Sequence, residues 1–175
     1  KMKKVAVIGA GGFGCSAAIE LAKKGFKVTV FERAGTILSG ASTVNHLRHH
    51  YGFHYPRSKE TVEEIKMARA CFEKEYGECV SNFFDDYYGV SLIGSQTTPD
   101  NFIKFCDDLG LEYEKGWPEE DQLDRSKIGD CIKVTERVYD PDILKGLIMK
   151  KLRDSQVNLK LYHKLIGSEL NGREK

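Results

Sequence analysis

One short stretch near the start of the chain limits its fold more than any other. Gly9-Ala10-Gly11-Gly12-Phe13-Gly14 fits the pattern GxGxxG. An apolar run, Val5, Ala6, Val7 and Ile8, precedes it, and Cys15, Ala18, Ile19 and Ala22 follow at helical spacing before Gly25, where a helix needs a left-handed stop. Residues 27–31 are again rich in β-formers, and Glu32 ends them. The pattern predicts a parallel strand buried on both faces over 5–8, a glycine turn, a helix over 14–24 and a second strand, which together make one βαβ unit. In such a unit Gly9 permits the tight turn, Gly11 lets the backbone approach a pyrophosphate, and Gly14 lets the helix pack against the strand. Gly12 and Phe13 are counted with these glycines as cofactor-binding residues, and the helix N-terminus faces the phosphates with free N–H groups and a partial positive charge. Glu32, about twenty residues after Gly9, stands where a carboxylate accepts both hydroxyls of an adenosine ribose. That acid ranks NADP below FAD and NAD, and Arg33 beside it is the one residue weighing the other way.

The chain's 175 residues, 41% hydrophobic and 30% charged, suit a globular fold and exclude a disordered or collagen-like one. With 27 Lys+Arg against 26 Asp+Glu the net charge is +1, so no global field draws it to nucleic acid or an anionic membrane. The expected partner is a small molecule at a local site. Five cysteines without a CxxC pair argue against a disulfide framework and for a reducing, cytoplasmic setting. No stretch approaches the roughly 18 apolar residues of a membrane span. Lys1 precedes Met2, which is read as the natural start.

Residues 33–57 lack periodicity and are dense in Gly, Ser, His and aromatic residues, the mark of a functional loop. Ser58 then offers a helix cap, Val62 to Tyr76 carry helical spacing, and Gly77 ends it. A strand is predicted over 87–93, and a helix over 101–109 between Thr98-Pro99 and Gly110. Residues 113–130 read as an exposed excursion and 132–138 as a strand. Phe83, Phe84, Tyr87 and Tyr88 read as part of a core strand. Asp140-Pro141 opens an amphipathic helix through Leu152, and 157–162 is a strand. Asn171-Gly172 is a strong hairpin signal with only Arg173, Glu174 and Lys175 after it, so the chain is expected to be the N-terminal portion of a longer protein, truncated within a hairpin.

The segment VAVIGAGGFGCSAAIELAKKGFKVTVFER resembles the opening of FAD-dependent oxidoreductases of the D-amino-acid oxidase (DAO) family, and SGASTVNHLRHHYGFHYPRS extends the match. ERVYDPDILKGLIMKKLRDSQVNLKLY is similar to the family segment that returns to the FAD domain. The resemblance covers about residues 4–57 and 135–172. It implies an α/β fold: a Rossmann-like FAD/NAD(P)-binding domain with the GxGxxG βαβ unit, plus part of an α+β substrate domain. The expected division is 2–57 (FAD-binding, N-terminal part), 58–134 (partial substrate or cap domain) and 135–175 (return to the FAD domain).

By the same resemblance the cofactor is FAD, and Gly40, Ala41, Ser42 and Asn45 match a segment that contacts its pyrophosphate or isoalloxazine end. Members that oxidise 2-hydroxy acids carry Asn, two small residues, then His, Gly and Tyr; Asn45, His50, Gly52 and Tyr55 fall at similar spacing, with His46 and Leu47 in place of the small pair. In some relatives a histidine of this region attaches covalently to the flavin. Further flavin-contacting segments are implied beyond residue 175. The implied activity of the full-length parent is oxidation of a C–N or C–O bond in an amino acid, amine or 2-hydroxy acid. His50 and Arg48 are the catalytic candidates; Arg48 or Arg57 would hold a carboxylate by a fork, and Tyr51 or Tyr55 would line the ring face. His46, His49, His50 and His54 lack the paired spacing of a metal site, and none is assigned. Cys15 reads as a small apolar residue. Two readings compete: a non-catalytic nucleotide-binding or interaction module, and an NAD-dependent dehydrogenase. Glu32→Ala is expected to weaken adenosine binding with the fold largely intact.

Overall fold

The computed structural model describes residues 2–44, 46–81, 84–120 and 122–169. In chain order the elements are β1 (Lys4–Ile8), α1 (Gly12–Lys23), β2 (Lys27–Phe31), β3 (Arg48–His49), α2 (Lys59–Tyr76), β4 (Val80–Ser81), β5 (Asp86–Ser91), α3 (Pro99–Asp108), β6 (Tyr113–Lys115), β7 (Ile128–Val134), β8 (Arg137–Tyr139), α4 (Pro141–Asp154) and β9 (Asn158–Lys160). They form two compact units, one made of Lys1–Leu47 with Pro141–Lys175, the other of Arg48–Asp140. Residues 48–57 and 135–140 thus cluster with the second unit. The hairpin signal at Asn171-Gly172 lies outside the described residues.

The first unit carries a parallel sheet in the order β1-β2-β9, with Val5 opposite Val28 and Val30 opposite Leu159. Val28 and Val30 on the central strand are buried. β1 pairs only with β2 among the described residues; its burial alternates, and Ile8 is 52% exposed. Among the described residues β1 thus stands at one side of the sheet with alternate residues covered, where the sequence predicted a buried strand. α1 starts two residues earlier than its apolar spacing suggests, because Gly11 serves as its N-cap. Gly25, at φ +84°, ends the helical path, and the N–H of Phe26 returns to the carbonyl of Leu21 at 3.2 Å. Cys15, Ala18 and Ile19 on α1 and Leu144, Ile148 and Leu152 on α4 are the buried faces of two helices packed on each other. The four-residue rhythm on α4 buries about 2 kcal/mol of transfer free energy per side chain. β9 is shorter than the predicted 157–162; Tyr162, at φ 58°, has already left the extended region.

The second unit holds two antiparallel sheets, β3-β8-β4 and β5-β7-β6. Ser58 caps α2 by accepting the Thr61 N–H at 3.3 Å, and Thr98 caps α3 by accepting the Asn101 N–H at 3.2 Å, with Pro99 in the first turn. Phe53, Val62, Phe102, Cys106, Ile132 and Val134 belong to one hydrophobic core. The predicted excursion over 113–130 contains β6 and the start of β7. Three residues with only Tyr113 turned inward are too short for alternation to register. The predicted strand over 132–138 is two strands, because Glu136 is buried in the link between β7 and β8, where its carboxyl takes hydrogen bonds of its own. Phe84 is 57% exposed and Tyr87 half-buried, so of the described aromatic residues read as core only Tyr88 packs on it; Phe83 lies outside the described residues.

Candidate functional site

The glycine turn between β1 and α1 is built from backbone geometry. Gly9 sits at φ +94°, where only glycine is at ease, and its N–H donates to the Phe31 carbonyl at 2.8 Å. A Cβ on Gly14 would collide with the Gly9 carbonyl oxygen, whereas one on Gly9 or Gly11 would meet nothing within 4 Å. Gly11 caps α1 with extended backbone and offers no capping side chain, and the first turn itself holds no acid. The first-turn N–H donors and the helix dipole face an open approach, the arrangement that receives an anion. Phe13 is 96% exposed at the same end.

Glu32 does more than terminate β2. It is buried, and its two carboxylate oxygens accept the backbone N–H of Ala10 at 2.7 Å and of Ala34 at 2.8 Å. Its own N–H donates to the Lys160 carbonyl at 2.9 Å, and its carbonyl accepts the His163 N–H at 2.8 Å. The hydrogen bonds from Ala10 and Ala34 hold the carboxyl below its ordinary range, with the exposed Arg33 helping and burial opposing. Cys15 donates to the Ala10 carbonyl at 3.4 Å, and burial together with Glu32 pushes its thiol up to about 11, so it packs and does not attack.

Beyond Glu32 the chain makes one turn of 3-10 helix over Ala41–Thr43, after Gly40. Ser42 lies beside the start of α1: its hydroxyl would be 3.5 Å from a Cβ on Gly12. Asn45 lies outside the described residues. His46 and Leu47 stand at φ 62° and φ 56°. Both are left-handed, which costs a residue with a Cβ about 1–2 kcal/mol. Of the small residues, glycine alone escapes that cost at these two positions.

The second unit contains a buried polar cluster centred on Glu136, which is 1% exposed. One of its carboxyl oxygens, Oε1, accepts the Tyr51 N–H at 2.7 Å and lies 3.9 Å from Nδ1 of His50. The other, Oε2, accepts the Tyr88 hydroxyl at 2.6 Å and lies 3.9 Å from Nη1 of Arg48. Arg48 in turn donates to the Tyr88 oxygen at 2.7 Å. Nδ1 of His50 is buried without a hydrogen-bond partner. Burial lowers the His50 pKa; Glu136 opposes this, and Arg48, His54 and His49 add to it. Burial, then the hydrogen bond to Glu136, raises that of Tyr88. A cleft of about 340 Å³, lined in part by Phe53, His54, Tyr88 and Phe102, shares Tyr88 with this cluster.

Arg48 and His50, the two catalytic candidates, thus meet on Glu136. Arg48 spends Nη1 on Tyr88, so it anchors this cluster rather than extending a free fork. The histidines of the loop diverge: His49 bonds Glu73 at 2.9 Å, whereas His50 faces Glu136, and its ring lies 6.4 Å from that of His54. Tyr51 carries the Arg69 guanidinium 4.0 Å above its ring, Tyr55 packs against the rings of His50 and His54, and Arg57 is exposed. Glu136 and Tyr88 were not among the sequence candidates. The signal for Glu136 was present, since strand alternation puts it on the same face as the buried Ile132 and Val134.

A parallel sheet with a glycine turn, a glycine at the helix N-cap and an acid locked at the end of β2 defines an α/β protein with a nucleotide-binding βαβ unit. The model of the FAD dependent oxidoreductase family (DAO) matches residues 4–119, and the chain belongs to that family. It is 40% identical over 77 residues to the FAD-dependent monooxygenase kojA of Aspergillus flavus, a match spanning 44% of this chain and 18% of the relative. Among solved structures, glycine oxidase from Bacillus cereus shares the fold at a TM-score of 0.71 and 17% identity, over 98% of this chain and 49% of that one. L-alpha-glycerophosphate oxidase from Mycoplasma pneumoniae, solved with FAD bound, does so at 0.69 and 16%, over 93% and 45%. The chain spans about half the length of these solved structures.

Proposed function

We propose that this chain supplies the FAD-binding βαβ unit and part of the substrate domain of an enzyme that oxidises a C–N or C–O bond in a small polar substrate, an amino acid, amine or 2-hydroxy acid. The observation that carries the reading is the start of α1, where Gly11 offers no capping side chain and the first turn itself holds no acid. The residues fit FAD: Gly9 and Gly11 leave open space where a side chain would stand, and Gly14 has none to spare. Gly11, Gly12, Phe13 and Gly14 would offer backbone N–H groups to the pyrophosphate. Glu32 keeps lone pairs on both oxygens for the ribose hydroxyls, in a carboxyl held ionised by Ala10 and Ala34. Arg33, Gly40, Ala41, Ser42 and Asn45 would complete the contacts on the loop side.

FAD, when bound, supplies the two-electron acceptor. The part left to the chain is to orient the donor, and His50 is the side chain proposed for it, with Arg48 anchoring the cluster around it. Its five free cysteines fit a reducing, cytoplasmic setting, and none of the described helices is long and apolar enough to cross a membrane. The reading is tested by mixing the FAD-loaded full-length protein, without oxygen, with panels of amino acids, amines and 2-hydroxy acids. Bleaching of the flavin bands by members of one panel is expected. Retained flavin that no panel bleaches would refute the substrate class.

A further inference from the structure

Glu136 occupies the link between β7 and β8, where the two sheets of the second unit meet in sequence. From there its carboxyl reaches Tyr88 on β5 and the chain leaving β3, the strand paired with β8. The division of labour is sharp. Oε2 faces Tyr88 and Arg48, and Oε1 faces the Tyr51 N–H and the His50 ring. The His50 side chain is 35% exposed, but Nδ1 is its buried end and has no hydrogen-bond partner. The carboxylate oxygen facing that nitrogen is Oε1, at 3.9 Å, about 1 Å beyond hydrogen-bonding length. A buried ring nitrogen opposite an acceptor carries its proton there, because a bare lone pair would face the oxygen's own.

We propose that Glu136 is the positioning residue for His50: it keeps the imidazole proton on Nδ1, so that Nε2 presents a free lone pair able to accept a hydrogen bond from the hydroxyl or amine of a substrate. The role of Nε2 rests on the function proposed above, but the tautomer does not. Tyr88 and Arg48 occupy the far side of the carboxyl, Tyr88 by donating to Oε2 and Arg48 by donating to the phenol oxygen, while the Tyr51 N–H holds Oε1 in place without them. The charged or titratable groups acting on His50 are Glu136, Arg48, His54 and His49, and Glu136 is the member that favours protonation.

The test needs neither substrate nor flavin. The protein is prepared with nitrogen-15 in its histidine rings, the His50 signals are assigned with a His50→Gln variant, and their shifts are followed with pH. The neutral ring is expected as the Nδ1–H form. Glu136→Gln, which keeps an acceptor for Tyr51 or Tyr88, should move the proton toward Nε2 and lower the proton affinity of His50 about tenfold. Tyr88→Phe, which leaves the carboxyl in place, should keep the Nδ1–H form. A neutral wild-type ring protonated on Nε2 overturns the proposal by itself, even if Glu136→Gln does not fold. An unchanged tautomer in Glu136→Gln, or an equal change in Tyr88→Phe, also overturns it. The expected tautomer in a protein that retains no FAD would sink the proposed function and leave the pairing of Glu136 and His50 standing.

Discussion

Ala10 donates its backbone N–H to Glu32 across 22 residues of sequence, at 2.7 Å, and Ala34 donates to the other oxygen at 2.8 Å. The acid assigned to the ribose is therefore also the latch that ties the glycine turn to the chain after β2.

Glu32→Ala should cost stability as well as nucleotide affinity. Ala10 is fully buried, and an unpaired N–H there costs about 1–3 kcal/mol. The sequence-based expectation of an intact fold gives way to a lowered urea midpoint, with Glu32→Gln falling between the two because its amide oxygen still accepts one N–H.

Acid should act through the same residue. The folded carboxyl is held below its ordinary 4.5, so its contribution is present above that value and is lost as the pH falls through the lower folded value. Measured unfolding free energy below about pH 4.5 should fall more steeply in the wild type than in Glu32→Gln. Parallel curves would show that Glu32 has no stabilising share.

Two glycines separate packing from binding. Gly14→Ala drives a methyl into the Gly9 carbonyl oxygen and should destabilise by about 1–3 kcal/mol, read as a denaturant midpoint. Gly11→Val adds bulk where the structure has open space, so the midpoint should move little while the pyrophosphate is shut out. If FAD affinity survived Gly11→Val, the pyrophosphate would lie elsewhere.

The cysteines should react in two classes. Cys71 is exposed, whereas Cys15, Cys79, Cys106 and Cys131 are buried, with burial pushing Cys15 and Cys79 up to about 11 and Cys106 to about 12. A disulfide reagent at about pH 8 should consume one thiol quickly and the rest only on unfolding. A second fast thiol would contradict the packing of α1, α3, β7 or the turn over Gly77–Cys79.

The βαβ unit was legible because its instructions are local. A left-handed glycine at position 9, helical spacing from Cys15 and a β-branched run at 27–31 each act within a few residues, and the structure follows them. The one-sided cover of β1 among the described residues and the extent of β9 depend on neighbours that periodicity does not report. The Glu136 cluster was hidden for a different reason: Tyr51 and Glu136 lie 85 residues apart, and Tyr88 and Glu136 lie 48 apart. Alternation marks Glu136 as inward-facing, but only the pairing of β3 with β8 brings it to His50. Leu47 carried no warning of its left-handed backbone, whereas His46 is of a residue type enriched there.

The central claim is that this chain holds FAD through the turn from Gly9 to Gly14 and through Glu32. The most direct test is the visible absorption spectrum of the full-length protein after incubation with FAD and removal of free cofactor, beside its Gly11→Val variant. Flavin bands that travel with the wild type and are missing from the variant are the predicted result. A colourless wild type, or bands equally strong in both, would contradict it.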